Sequence, residues 1–186
     1  TETRDLGAVG LLCRSADRKS AAQFRSDGFT LNWLEHYTSA DDLYAEAIRL
    51  WSMFVNVAEI QPESVTRFAL RYINRFHLPL SDGDPIDKYL TFSPPIPVDL
   101  PQAVSEFVVR VGLVEADGDP TLVLTQKLGA SKGGSTPEMI LDLDASSTRR
   151  LGTADSILKP KFDQLRDLKN RGFFSVLTED AVKLFL

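Results

Sequence analysis

Apolar and polar residues alternate with period two over much of this chain, the mark of half-buried strands. Residues 8–13 and 20–26 predict strands around the polar turn Ser15-Ala16-Asp17-Arg18. Asp27-Gly28 separates the second from Phe29-Thr30-Leu31-Asn32-Trp33, and such a pair suits a tight hairpin turn that needs positive φ. Phe29, Leu31 and Trp33 share one face, so the chain is expected to open with a three-stranded meander wet on one side. Residues 64–76 predict a strand with Phe68, Leu70, Tyr72 and Phe76 on one parity and Arg67, Arg71, Arg75 and His77 on the other. A hairpin is expected from 105–114 and 121–128 around Ala116-Asp117-Gly118-Asp119, with Phe107, Val109, Val111 and Leu113 inward. Residues 138–144 predict one more strand, with Met139, Leu141 and Leu143 inward.

Two stretches change to helical period. Over 40–58, Leu43, Ala47, Leu50, Trp51, Phe54 and Val57 form a broad apolar stripe. Ser39 is the expected cap, with Asp42 three residues on. Trp51 and Phe54 centre the stripe and are expected to be nearly buried. Near the end, Leu158, Phe162, Leu165 and Leu168 recur on one face, and Gly172 reads as the stop. Thr178 is then expected to cap a last helix. Between 78 and 101 lie Pro79, Pro85, Pro94, Pro95, Pro97 and Pro101. Strand-like segments flank this stretch, so it reads as an excursion across one domain rather than a linker. Asp84 or Asp87 is expected to start a short helix there. The element order predicts a single α+β domain over 1–186: a largely antiparallel twisted sheet of about six strands, with helices 40–58 and 156–171 packed on it.

Composition narrows the classes. The chain has 186 residues and a formal charge of −5, with 43 % hydrophobic and 25 % charged residues. That balance excludes whole-chain disorder and any global attraction to nucleic acid or anionic lipid. Cys13 is the single cysteine, so no intrachain disulfide forms, and it reads as a small buried hydrophobe. No run of about 18 apolar residues exists, so no membrane span is expected.

The segment Arg67-Phe68-Ala69-Leu70-Arg71-Tyr72-Ile73-Asn74-Arg75, followed by Leu78-Pro79, resembles a sporadically distributed bacterial protein family of unknown function with an Arg-Tyr-Ile-Asn-Arg core and a following Leu-Pro. Phe24-Arg25 with Asp27-Gly28-Phe29, Leu50-Trp51, Leu141-Asp142-Leu143-Asp144, and Phe173-Phe174 with Leu177-Thr178-Glu179 extend the likeness over most of the chain. The resemblance implies a bacterial cytoplasmic protein, and a further strand and helix before residue 1 that this sequence lacks. It implies no activity, cofactor or catalytic residue.

Arg67, Arg71 and Arg75 are the candidate anion-binding residues. Four apart on a strand they share a face, about 13 Å from one to the next. Their planar donor forks suit phosphate or carboxylate. His77 shares their parity and would serve as a base beside a bound phosphate. The plainer expectation is a structural row in which at least two of the three pair with carboxylates, helix residues such as Glu46 or Asp42 among them. Asp142 and Asp144, two apart on a strand, are weak metal-ligand candidates that would need further oxygens, from Asp99, Glu106 or Glu138 for instance. His36 stands alone. Ser131-Lys132-Gly133-Gly134-Ser135 is glycine-rich and basic but lacks the spacing of a phosphate loop. Lys159, Lys161, Arg166, Lys169 and Arg171 read as a solvated helix face against Asp163 and Asp167. The expected function is therefore non-enzymatic binding of a protein partner or self-association, with no cofactor, no membrane and nucleic acid disfavoured. The rival is a phosphate-directed, nuclease-like metal enzyme using Asp142, Asp144 and the arginine row.

Overall fold

The computed structural model describes residues 10–34, 37–80, 85–130 and 137–185. The expectations for His36, for Asp84 and for the glycine-rich segment 131–135 lie outside the described residues. The chain divides into two compact units, Thr1–Glu63 and Ser64–Leu186. Among the described residues, seven strands form a three-stranded and a four-stranded antiparallel sheet, so the α+β class holds while the single six-stranded sheet gives way to two. Alternation gives each strand its two faces but not its neighbours, and pairing decided the division.

In the first unit β1 (Gly10–Arg14), β2 (Ser20–Arg25) and β3 (Gly28–Trp33) make the expected meander. Arg25 pairs with Gly28, so the turn is Ser26-Asp27 rather than Asp27-Gly28. Neither Asp27 nor Gly28 takes positive φ; Arg18, in the preceding turn, does. Helix α1 (Ala40–Val57) is capped by Ser39, whose hydroxyl accepts the Asp42 N–H. Register puts Leu11, Phe24 and Phe29 in one row and Cys13, Ala22 and Leu31 in another on the same face. Across that face the Phe54 ring lies 5.2 Å from Phe24 and Trp51 lies 6.3 Å from Phe29. One helix is too narrow for three strands. Leu11 on β1 remains 70 % exposed and Cys13 is exposed, not buried as its apolar neighbours suggested. Trp51 and Phe54 are half-buried rather than nearly buried for the same reason. Ala40 and Tyr44 are the buried residues of α1.

The second unit holds β4 (Phe68–His77), β5 (Phe107–Val114), β6 (Thr121–Ala130) and β7 (Pro137–Ser147) in the order β4-β7-β6-β5. Consecutive hairpins join β5 to β7, while β4 returns beside β7, a Greek-key arrangement run in reverse. That topology requires a long crossing from one sheet edge to the other, and the proline-rich stretch supplies it. The stretch is anchored rather than a linker: Leu78, Tyr89 and Leu90 are buried, Leu90 bridges Leu177, and Thr178 N–H donates to the Tyr89 carbonyl. The short helix expected there is a 3-10 turn at Ile86–Lys88.

Helix α2 (Asp155–Val176) covers one face of this sheet, and α3 (Glu179–Val182) follows, capped by the Thr178 hydroxyl. Leu158, Phe162, Leu165 and Leu168 are buried as their spacing predicts. Opposite them Met139, Leu141, Leu143, Leu122, Leu124 and Leu128 are at most 2 % exposed. Gly172 does not stop the helix. A Cβ there would lie 2.6 Å from Leu122 Cδ2, so the glycine lets α2 approach the sheet closely.

Candidate functional site

The face of the four-stranded sheet away from α2 carries the arginine row. β4 alternates strictly, Leu70 and Phe76 buried against exposed Ala69, Arg71, Ile73, Arg75 and His77. The neighbouring strand β7 is its mirror, with Met139, Leu141, Leu143 and Ala145 inward and Glu138, Ile140, Asp142 and Asp144 outward. Arg71 stands opposite Asp144 in register, yet its guanidinium leans along the strand to fork both Asp142 oxygens at 2.8 and 2.6 Å. Arg67 reaches both oxygens of Asp144, at 3.3 and 3.2 Å, and Arg75 lies 3.9 Å from Glu138. All three arginines therefore pair with carboxylates, and the partners are cross-strand acids of β7. Glu46 instead pairs with Arg49 within α1, and Asp42 accepts from Thr38. The Asp142 hydrogen bond raises the affinity of the Arg71 guanidinium for its proton, against a smaller effect of desolvation.

The same geometry bears on metal binding. Asp142 and Asp144 do project from one face as the spacing predicts, but their oxygens are engaged by Arg71 and Arg67. A dication entering there would meet two guanidinium charges first, and ligands must be free to bind it. Glu138 faces Arg75, while Asp99 and Glu106 are exposed on the connection before β5. Among the described residues no cluster of three potential ligands forms. His77 is exposed opposite Glu138 at the end of the row.

Toward the other edge of this face stand Arg110 on β5 and Lys127 on β6. Arg110 lies opposite Thr125 and Lys127 opposite Val108. Both are exposed, and neither forms an ion pair or side-chain hydrogen bond among the described residues. The outer face also exposes Ile73 and Val108 and, His77 at its end apart, presents no phenylalanine, tyrosine or tryptophan on its four strands among the described residues.

A second polar cluster was invisible in the sequence. Asp119, read only as a turn residue, is 3 % exposed. It accepts the Ser147 hydroxyl at 2.8 Å and Lys161 Nζ at 3.1 Å, with Arg149 Nε 4.0 Å away. Burial pushes the carboxyl up, but the Ser147 and Lys161 hydrogen bonds, the Lys161 charge and the Thr148 N–H together hold it below the usual carboxylate range. Lys161 thus departs from the expected solvated face. So does Lys169, whose ammonium sits 3.9 Å from the centre of the Tyr72 ring. Desolvation, with repulsion from Arg166, lowers Lys169 to about 8. Arg171 pairs with Glu115, so α2 clasps the β5–β6 turn through two basic residues. Only the three-dimensional register brings these residues together; no spacing along the chain marks them.

Comparison of the chain with protein-family models, with curated proteins and with solved structures gives no match. No helix among the described residues is long and apolar enough to cross a membrane.

Proposed function

We propose that this chain is a non-enzymatic binding protein of the bacterial cytosol that engages a protein partner through the open face of its four-stranded sheet. One observation carries the reading: the two aspartates that a metal-dependent reaction would use are held by Arg71 and Arg67. The arginine row is then a structural seam between β4 and β7, and what remains for a ligand is an exposed face of mixed apolar and basic character. Nucleic acid is the poorer occupant. Sequence-tolerant binding of single strands relies on a series of aromatic stacking platforms, and this face carries only the His77 ring at one end among the described residues.

Arg71→Ala tests the structural role. The forked pair is mostly solvated on the arginine side, so its loss should lower stability by about 0.5–1 kcal/mol in urea denaturation. Single-stranded RNA or DNA should bind weakly at physiological salt, to the parent and the variant alike. A micromolar complex that falls steeply with added salt, and is lost in Arg71→Ala without loss of folding, would overturn the reading, since that salt dependence marks phosphate contacts.

A further inference from the structure

The β5 strand is the outermost strand of its sheet, and no described residue pairs with its free side. Half of its backbone donors and acceptors therefore point away from β6. Protective features are sparse: the sequence Phe107-Val-Val-Arg-Val-Gly-Leu-Val114 holds no proline, no lysine and a single charge. Val108, Val114 and Leu113 are 66, 63 and 49 % exposed. Beside this edge stand the two unpaired cations, Arg110 and Lys127. Neighbouring strands lie about 4.8 Å apart, so a strand added outside β5 would sit next to Arg110 and within reach of the long Lys127 side chain over Val108.

The molecule already contains one example of the match this edge calls for. Arg71 of β4 and Arg67 just before it meet the outward Asp142 and Asp144 of β7, while the alternate residues of both strands enter the core. Resting on the reading of the chain as a binding protein, we infer that β5 docks an extended segment of a partner protein whose alternate residues are acidic and apolar. Its acids face Arg110 and Lys127, and its apolar residues continue the inner row of Val109, Val111 and Leu113. Main-chain hydrogen bonds supply affinity and the alternate side chains supply selection. A second copy of the chain fits less well. Antiparallel pairing of β5 with itself would set both Arg110 side chains on one face near the two-fold axis, where like charges repel.

The test is calorimetric titration of the full chain with a capped peptide of alternating Asp and Val as long as β5. One-to-one binding is expected, weakened about tenfold by Arg110→Glu and by Lys127→Glu. Both side chains are exposed and unpaired, so neither change should disturb the fold, which circular dichroism would verify. N-methylation of the peptide's alternate amides, in either of the two registers, should abolish binding in one of them, because edge pairing needs those donors. The proposal is overturned by no binding of the Asp/Val peptide, equal binding of a Lys/Val peptide, affinity unchanged by both charge reversals, or self-association of the protein that the peptide does not displace. Tighter binding of single-stranded RNA at the same salt would likewise overturn it. A failed peptide titration removes the docking edge alone, whereas divalent-metal binding at Asp142 and Asp144 removes the non-enzymatic reading itself.

Discussion

Replacing Asp119 by alanine is expected to lower the unfolding free energy by about 3 kcal/mol, the lower end of the range for breaking a buried ion pair. The carboxylate is almost wholly enclosed and holds Ser147 and Lys161 at once. Its removal leaves the buried Ser147 hydroxyl without its acceptor and Lys161, with a side chain only 16 % exposed, without its counter-charge. Lys161 keeps a bond to Gln164 and a short path to water, which moderates the loss. The pH dependence follows from the direction of the Asp119 shift. A carboxyl whose folded pKa lies below its unfolded value of about 3.9 contributes stability that is present above that value and lost as pH falls through the folded pKa. Urea midpoints measured at pH 7 and at pH 3 should therefore differ more for the parent than for Asp119→Asn. An Asp119→Ala midpoint within error of the parent would show that the cluster is not a unit.

Leu143→Ala is expected to cost about 2–5 kcal/mol, through lost burial and the cavity left behind. Leu143 is fully buried at the centre of the sheet, between Tyr72 and Leu124 in register. Its Cδ2 lies 3.4 Å from where a Gly172 side chain would begin, at a point where α2 approaches the sheet closely. The helix is already against the strands there and has little room to collapse further. Trp51→Ala should cost less despite the larger side chain, because Trp51 is half-exposed on a helix that spans part of a small sheet. Chemical denaturation of both variants ranks them, and a larger loss for Trp51→Ala would contradict this placement of the main core.

Strand faces were the most legible part of the sequence. The alternation over Phe68–His77 and Pro137–Ser147 gives the inner leucines and the outer charges directly, because a strand's two faces follow from parity alone. The stripe Leu158, Phe162, Leu165 and Leu168 was equally plain. Partners were not legible. Nothing local says that β4 meets β7, which follows it in the chain only after β5 and β6, so the sequence points the arginines to helix acids that serve elsewhere. The burial of Asp119 and Lys161 was hidden for the same reason: each lies in a polar stretch, and only packing of α2 over the β5–β6 turn encloses them. Cys13 failed in the other direction. Apolar neighbours predict burial only where something covers the face, and among the described residues the strand β1 is exposed along its length.

The reading of the arginine row as a seam, and of the protein as non-enzymatic, stands on the commitment of Asp142 and Asp144 to their guanidinium partners. Calorimetric titration of the full chain with Mg²⁺ and Mn²⁺ tests it most directly. The expected result is at most a weak, millimolar response that is the same in the parent, in Asp142→Asn and in Asp144→Asn. A stoichiometric, sub-millimolar site abolished by either substitution would contradict the account and return the phosphate-directed enzyme to first place.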